Sequence, residues 1–313
     1  MIKCNNLNSK FYSLDSENTI DIHTNSSFKT DQNTTQPKAM LVINPQTPTG
    51  KVLSPEEMQK IIKYCYDNSL VLIASEVLQD QCYSDDFKSF RSQVNLMHSP
   101  YNQQELFSFY SISKSPLFEG SSRTGYLNIL NLDEDVKREL YKHISMDICT
   151  SIPGQIILDL ITQIKLSNKN DIFHMDLKLD LETSQKILRE KFFDQIENLN
   201  KNYTKSSLFK FIEKPQAGHS IFIQLNLEVF EKNKRSFISG DRENLNLTNC
   251  ELYSKALYDM TGVLVTPGIE YGNFPDHIVI NFCNEYLANA QVKHVLEFNN
   301  YVTGTSETRR VIN

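Results

Sequence analysis

Apolar residues alternate along this chain between two rhythms. Met40-Leu41-Val42-Ile43 is a continuous apolar run that stops at Asn44-Pro45, and Leu70-Val71-Leu72-Ile73-Ala74 is a second such run. Short stretches that are apolar at every position suit strands buried on both faces, the habit of parallel sheets. Between them lie the turn Pro48-Thr49-Gly50 and a segment of different period, in which Met58, Ile61, Ile62 and Cys65 recur at helical spacing. Ser54 fits the N-cap of that helix, Pro55 its first position, and Glu57 completes a capping box. Strand, helix and strand with short links form a βαβ unit, which predicts a parallel sheet covered by helices.

Further along, Leu106-Phe107-Ser108-Phe109-Tyr110 predicts a third strand leading into Ser111-Ile112-Ser113-Lys114, and Tyr126–Leu130 a fourth. Helices are predicted at 133–148, 154–166 and 176–200, the last long, charged and suited to connect two domains. Then the pattern changes. His219–Leu227 alternates like a half-buried strand, 249–261 reads as a helix, Val263–Val265 and Ile278–Ile280 as strands, and 286–299 as a closing helix. The predicted class is α/β: a partial three-layer αβα large domain with a mainly parallel sheet, plus a smaller C-terminal α+β domain. The boundaries expected are a polar segment 1–38, a large domain 39–165, a connector helix and small domain 166–300, and a tail 301–313. In the first segment, rich in Asn, Ser, Thr and Asp, only Phe11–Leu14 hints at a strand.

Composition narrows the function classes. At 313 residues and 36.2 kDa, with 40% apolar residues, a sizeable core is available. Net charge is −6 and the 32 basic residues are scattered, which argues against a nucleic-acid partner, because phosphate backbones require a concentrated basic face. No apolar run approaches the ~20 residues of a membrane span, and the start carries no apolar signal core, so a cytoplasmic location is expected. The six cysteines lie far apart and the histidines lack ligand spacing, so reduced thiols and no metal site are expected. Glycine is scarce, 10 residues in all, and loops that cradle phosphate normally need it.

In an open α/β sheet, ligands sit at the carboxyl ends of the strands. Three segments meet that rule: the loop after Ile43, the residues after Ala74, and Lys114 after the third strand. A lysine buried there among apolar strands would have a lowered pKa and a free lone pair for a carbonyl cofactor. The residues alone favour an ordinary solvated loop lysine.

The order of motifs changes that weighting. Asn44-Pro45-Gln46-Thr47-Pro48-Thr49-Gly50, then Ala74-Ser75-Glu76-Val77, then Ser111-Ile112-Ser113-Lys114, then Arg123, resembles the fold type I pyridoxal-phosphate aminotransferases, and among them the alanine aminotransferase branch. Ser151-Ile152-Pro153-Gly154-Gln155 and Val265-Thr266-Pro267-Gly268 support the resemblance, which runs from about residue 11 to 300. It implies pyridoxal 5'-phosphate as cofactor, Lys114 as Schiff-base lysine, and Ser111 and Arg123 as phosphate ligands, a guanidinium gripping phosphate through two parallel bonds. It also implies an amino acid and a 2-oxo acid as substrates, and either a homodimer or a complementary chain. The pattern is entered partway, so a truncated large domain is expected.

Four positions depart from the family pattern. Ser75 stands where an aspartate pairs with the pyridine nitrogen, and a hydroxyl supplies no charge to hold a pyridinium. Thr47 replaces an asparagine, and Leu78 a tyrosine, that bond the cofactor's ring oxygen. Asn281 stands where an arginine clamps the substrate carboxylate, and nearby Asn284 is no cation either. Glu76 is a poor substitute for the lost aspartate, since strand neighbours point to opposite faces. The expectation is an alanine-aminotransferase-like protein, degenerate and with little or no turnover. The alternatives are an active alanine:2-oxoglutarate aminotransferase using Lys114, a non-catalytic subunit or scaffold, and altered pyridoxal chemistry that tolerates an unprotonated ring.

Overall fold

The computed structural model describes residues 37–83, 87–114, 123–146, 151–166, 190, 194, 208–212, 214–237, 247–272, 274–281 and 285–304. They fall into two compact units, one holding residues up to Pro45 together with Val52–Gln163, the other Gln46–Lys51 and residues from Ile164 onward.

The first unit is built on the expected βαβ start. Strand β1 (Ala39–Ile43) leads to helix α1 (Pro55–Asp67), strand β2 (Val71–Ser75), helix α2 (Phe90–Leu96), and strands β3 (Leu106–Ser111) and β4 (Gly125–Leu130). The strand order is β1-β2-β3-β4; the first three run parallel and β4 returns antiparallel along β3. Helices α3 (Glu134–Ser145) and α4 (Ile152–Leu166) follow. The capping box of α1 forms as its sequence directs: the Glu57 N–H donates to Ser54 Oγ at 3.2 Å, and the Ser54 N–H to Glu57 Oε2 at 2.8 Å.

The core of this unit lies on one face of the sheet. Met40, Val42, Leu72, Ala74 and Leu106 pack with Met58, Ile61, Ile62 and Cys65 of α1 and with Phe90 and Val94 of α2. Burial of each larger side chain is worth about 1.5–3 kcal/mol relative to exposure. Strand β1 corrects the sequence reading: instead of being buried on both faces, it leaves Leu41 49% and Ile43 38% exposed. Alternation along the strand sends Met40 and Val42 to the helix-covered side and Leu41 and Ile43 to the other.

The second unit is a four-stranded antiparallel sheet in the order β5-β6-β8-β7, from β5 (Phe209–Ile212), β6 (Ser220–Leu225), β7 (Thr266–Pro267) and β8 (His277–Asn281). Helices α5 (Leu227–Phe237), α6 (Asn249–Thr261) and α7 (Glu285–Val302) accompany it. Ile221, Ile223, Ile278 and Ile280 are buried, as are Tyr253 and Leu257 of α6 and Val295 and Phe298 of α7. Gly262 closes α6 in the left-handed region at φ 73°, its N–H donating to the Tyr258 carbonyl at 2.8 Å.

Segment Gln46–Lys51 is a tight turn, closed by Gly50 N–H to Gln46 O at 2.9 Å, and it is pinned within this unit where Gln216 N–H donates to Gly50 O at 3.0 Å. A side chain at Gly50 would meet the Pro215 ring and the Ala217 carbonyl, and φ there is 69°.

The strand expected at Val263–Val265 is displaced: the pairing residues are Thr266 and Pro267, opposite Val279 and Ile278. Helices α2 and α5 and strand β5 were not read from the sequence, being short or largely polar. Of the expected helix 176–200, Glu190 and Asp194 are described, both helical; Phe11–Leu14 lies outside the described residues. Among the described residues, no helix is long and apolar enough to cross a membrane, and no three His, Cys, Asp or Glu side chains gather as for a metal ion.

Candidate functional site

Parallel register brings three strand ends into one row. Ile43, Ser75 and Phe109 are partners across β1, β2 and β3, and Phe109 in turn faces Leu127 on β4. Partners in a sheet share a face, so these side chains stand on the side away from α1 and α2. Ser75 is half-buried there, between Ile43 and Phe109, which are 38% and 40% exposed.

The next residue turns the other way. Glu76 is fully buried, its N–H bonded to Phe109 O at 2.8 Å. Its carboxylate accepts from the Phe90 N–H at the start of α2 and from Ser108 Oγ, each at 2.6 Å. Burial pushes this carboxyl above the usual range, and the bonds from Ser108 and Phe90 oppose the rise. The acid adjacent to Ser75 is thus engaged on the helix-covered face.

Beyond the strand ends, the chain knits two segments together. The side-chain amide of Gln81, in a 3-10 turn that follows Leu78, donates to the Lys114 carbonyl, and the Tyr110 hydroxyl donates to the Asp80 carboxylate. Burial, then the Asp80 charge, pushes the Tyr110 hydroxyl far up. Leu78 itself is half-buried.

Ser111, Ser113, Lys114 and Arg123 collect at the carboxyl end of β3. Ser111 Oγ accepts from the Ser113 N–H at 3.2 Å, lies 3.0 Å from Ser113 Oγ, and reaches the Thr124 carbonyl at 3.3 Å. That same carbonyl accepts from the Ile112 N–H at 3.0 Å, so Arg123 is held opposite the serines although its backbone is left-handed at φ 46°. Such a backbone costs a side-chain-bearing residue about 1–2 kcal/mol. Gly125 permits the close approach, since a Cβ there would crowd Tyr110 O and Ser111 Cα.

Lys114 and Arg123 are both exposed. The solvated loop position that the residues alone favour is where Lys114 lies, because the residue ends a turn past the last strand position. Hydroxyl, amine and guanidinium, the groups that these four residues carry at this end of the strand, are of the kinds that suit a phosphate-sized anion.

The structure therefore brings Ser75, Leu78, Ser111, Lys114 and Arg123 onto one edge of the first unit. Thr47 and Asn281 belong to the second. Thr47 is exposed in the turn pinned by Gln216, and Asn281 ends β8, its Oδ1 accepting from Ser220 Oγ at 2.7 Å. The Tyr110–Asp80 pair was missed by sequence reasoning; its only signal was an alternation that puts Tyr110 on the same face as Ser108.

Residues 2–297 match the family described as aminotransferase class I and II. Alanine aminotransferase 1 of Rattus norvegicus is 28% identical over 244 residues, covering 75% of this chain and 45% of that protein. Alanine aminotransferase 1 of Bos taurus is 42% identical over 128 residues, 40% of this chain and 26% of that one. The chain spans about half the length of the curated relatives it matches over most of its own. Among solved structures, an aspartate aminotransferase of Thermotoga maritima gives a TM-score of 0.62 at 18% identity, covering 94% of this chain and 64% of that one. A PLP-bound C-S lyase of Staphylococcus hominis gives 0.60 at 18%, covering 87% and 60%. Identity this low shows the fold, which is that of these enzymes.

Proposed function

The chain belongs to the class I and II aminotransferase family, and we propose that it binds pyridoxal 5'-phosphate at the carboxyl edge of β2 and β3 while supporting little or no transamination. The observation that carries this reading is the row Ile43-Ser75-Phe109 with Glu76 turned to the opposite face. The phosphate end of the cofactor fits the residues present. Ser111 and Ser113 hold their hydroxyls 3.0 Å apart, and Arg123 and Lys114, both exposed, carry a guanidinium and an amine at the same end of β3. The ring end meets a neutral hydroxyl where a charge is required to hold a pyridinium.

When bound, the cofactor supplies an aldehyde and an electron sink for carbanion chemistry. The chain's own residues would then do the following. Arg123 and Ser111 anchor the phosphate through charge-assisted and neutral bonds. Lys114 presents its amine at the mouth of the site and is the group available to carry a proton there. Ser75 gives the ring nitrogen one hydrogen bond without countercharge. In the second unit, Asn281 accepts from Ser220 Oγ through its Oδ1 and carries no charge. Charge-assisted bonds are worth about 1.5–3 kcal/mol each, so a neutral hydroxyl at Ser75 in place of an ionic partner weakens the electron sink.

The test is direct. Purified chain mixed with pyridoxal phosphate should show the visible absorption of a lysine-bound pyridoxal, absent in Lys114→Ala, and the band should ignore alanine and 2-oxoglutarate. A band that bleaches with alanine and returns with 2-oxoglutarate would establish the second reading, an active alanine aminotransferase, which the retained Ser111, Lys114 and Arg123 favour. No band in a folded chain refutes the cofactor reading.

A further inference from the structure

The row of strand-end side chains says more than that a charge is missing. Ile43 and Phe109 flank Ser75 on the two neighbouring strands, in register with it and on its face of the sheet. Both are large apolar side chains left well exposed, at 38% and 40%. The nearby carboxylates are engaged elsewhere: Glu76 with Phe90 and Ser108, and Asp80 with the hydroxyl of Tyr110, whose ring is buried with Ile112 and Ile161. The cations Lys114 and Arg123 stand on the same edge.

A heteroaromatic nitrogen placed against this row would meet one hydroxyl and two apolar walls. Apolar walls desolvate a charge, which favours the uncharged base. A hydroxyl, by contrast, can donate to the lone pair of an uncharged nitrogen.

We propose that Phe109 and Ile43 are ring-contact residues which, together with Ser75, hold the heteroaromatic nitrogen of a bound phosphate-bearing ligand in its uncharged form. This rests on the pyridoxal phosphate reading above and assigns the site's selectivity: it is built for an unprotonated ring rather than a pyridinium.

The experiment uses the full chain with pyridoxal phosphate isotope-labelled at the ring nitrogen, whose NMR resonance separates the protonated from the unprotonated base, and measures affinity by the ligand's absorption. In the wild type the resonance should be that of the uncharged base. Phe109→Asp sets a carboxylate beside Ser75 on an exposed position and should move the resonance toward pyridinium. Phe109→Ala removes one wall and should weaken binding about tenfold, from the apolar area lost. Phe109→Leu should restore affinity while leaving the resonance as in the wild type, which a purely structural role would not require. Circular dichroism confirms that each variant is folded. A protonated ring in the wild type, or a Phe109→Asp chain unchanged in both resonance and affinity, overturns the inference and leaves the cofactor reading standing. A folded wild type that takes up no pyridoxal phosphate removes both.

Discussion

Glu76 is the side chain on which the strand-end geometry turns, and replacing it separates two roles of a buried carboxylate. In Glu76→Ala, the Phe90 N–H and the Ser108 hydroxyl, each now bonded at 2.6 Å, lose their acceptor inside the core. A buried donor left without a partner costs about 1–3 kcal/mol, and relief of the desolvated charge returns part of that, so a net loss of about 2–4 kcal/mol is expected. Glu76→Gln keeps an acceptor for Phe90, and its amide can donate to Ser108. The Ser108 hydroxyl is then free to donate toward Asn128, its register partner, whose buried Oδ1 has no hydrogen-bond partner among the described residues. This variant should lie within about 1 kcal/mol of the wild type near neutral pH.

Its pH dependence follows from burial. The native carboxyl is raised above its ordinary value of 4.5, so above that value the native state holds a proton that the unfolded state has released. The wild type therefore loses stability from Glu76 as pH climbs from 4.5 through the native value, and Glu76→Gln flattens that part of the profile. Urea denaturation followed by circular dichroism across this range measures both effects. If Glu76→Gln proves as damaging as Glu76→Ala at every pH, the anion rather than its hydrogen-bond geometry holds α2 to the sheet, and the reasoning fails.

Other expectations are simpler to state. Gly125→Ala forces a Cβ against Tyr110 O and Ser111 Cα, so it should cost at least about 2 kcal/mol in a denaturant melt and weaken phosphate uptake at Ser111. Ser54→Ala removes the acceptor for the Glu57 N–H and should lower stability by about 1 kcal/mol, with Ser54→Thr largely neutral. Cys65, on the buried face of α1 with its thiol pushed up to about 12, should resist thiol reagents in the native chain and react only on unfolding, which a timed labelling assay reads. Gly50→Ala, at φ 69° and facing Pro215, should destabilise the second unit, detected as earlier proteolysis there than in the wild type.

The sequence by itself determined the local elements and their order. The capping box at Ser54, the helical repeat from Met58 to Cys65 and the apolar runs of β1, β2 and β3 depend on neighbours a few residues apart. Those neighbours specify helix or strand whatever else the chain does. The motif order also carried the family. Tertiary structure decided what each strand end faces. Glu76 is fixed by Phe90 and Ser108, 14 and 32 residues away, and nothing within its own strand states which side α2 will cover. The exposure of Leu41 and Ile43 depends on helices α1 and α2 packing on the opposite face, where Met40 and Val42 lie. Lys114 stands in solvent because the turn carrying it passes the sheet edge. Thr47 belongs to the second unit because the Gln216 N–H reaches across the chain to Gly50. Register, burial and side-chain direction come from partners distant in sequence, and only the folded chain brings those partners together.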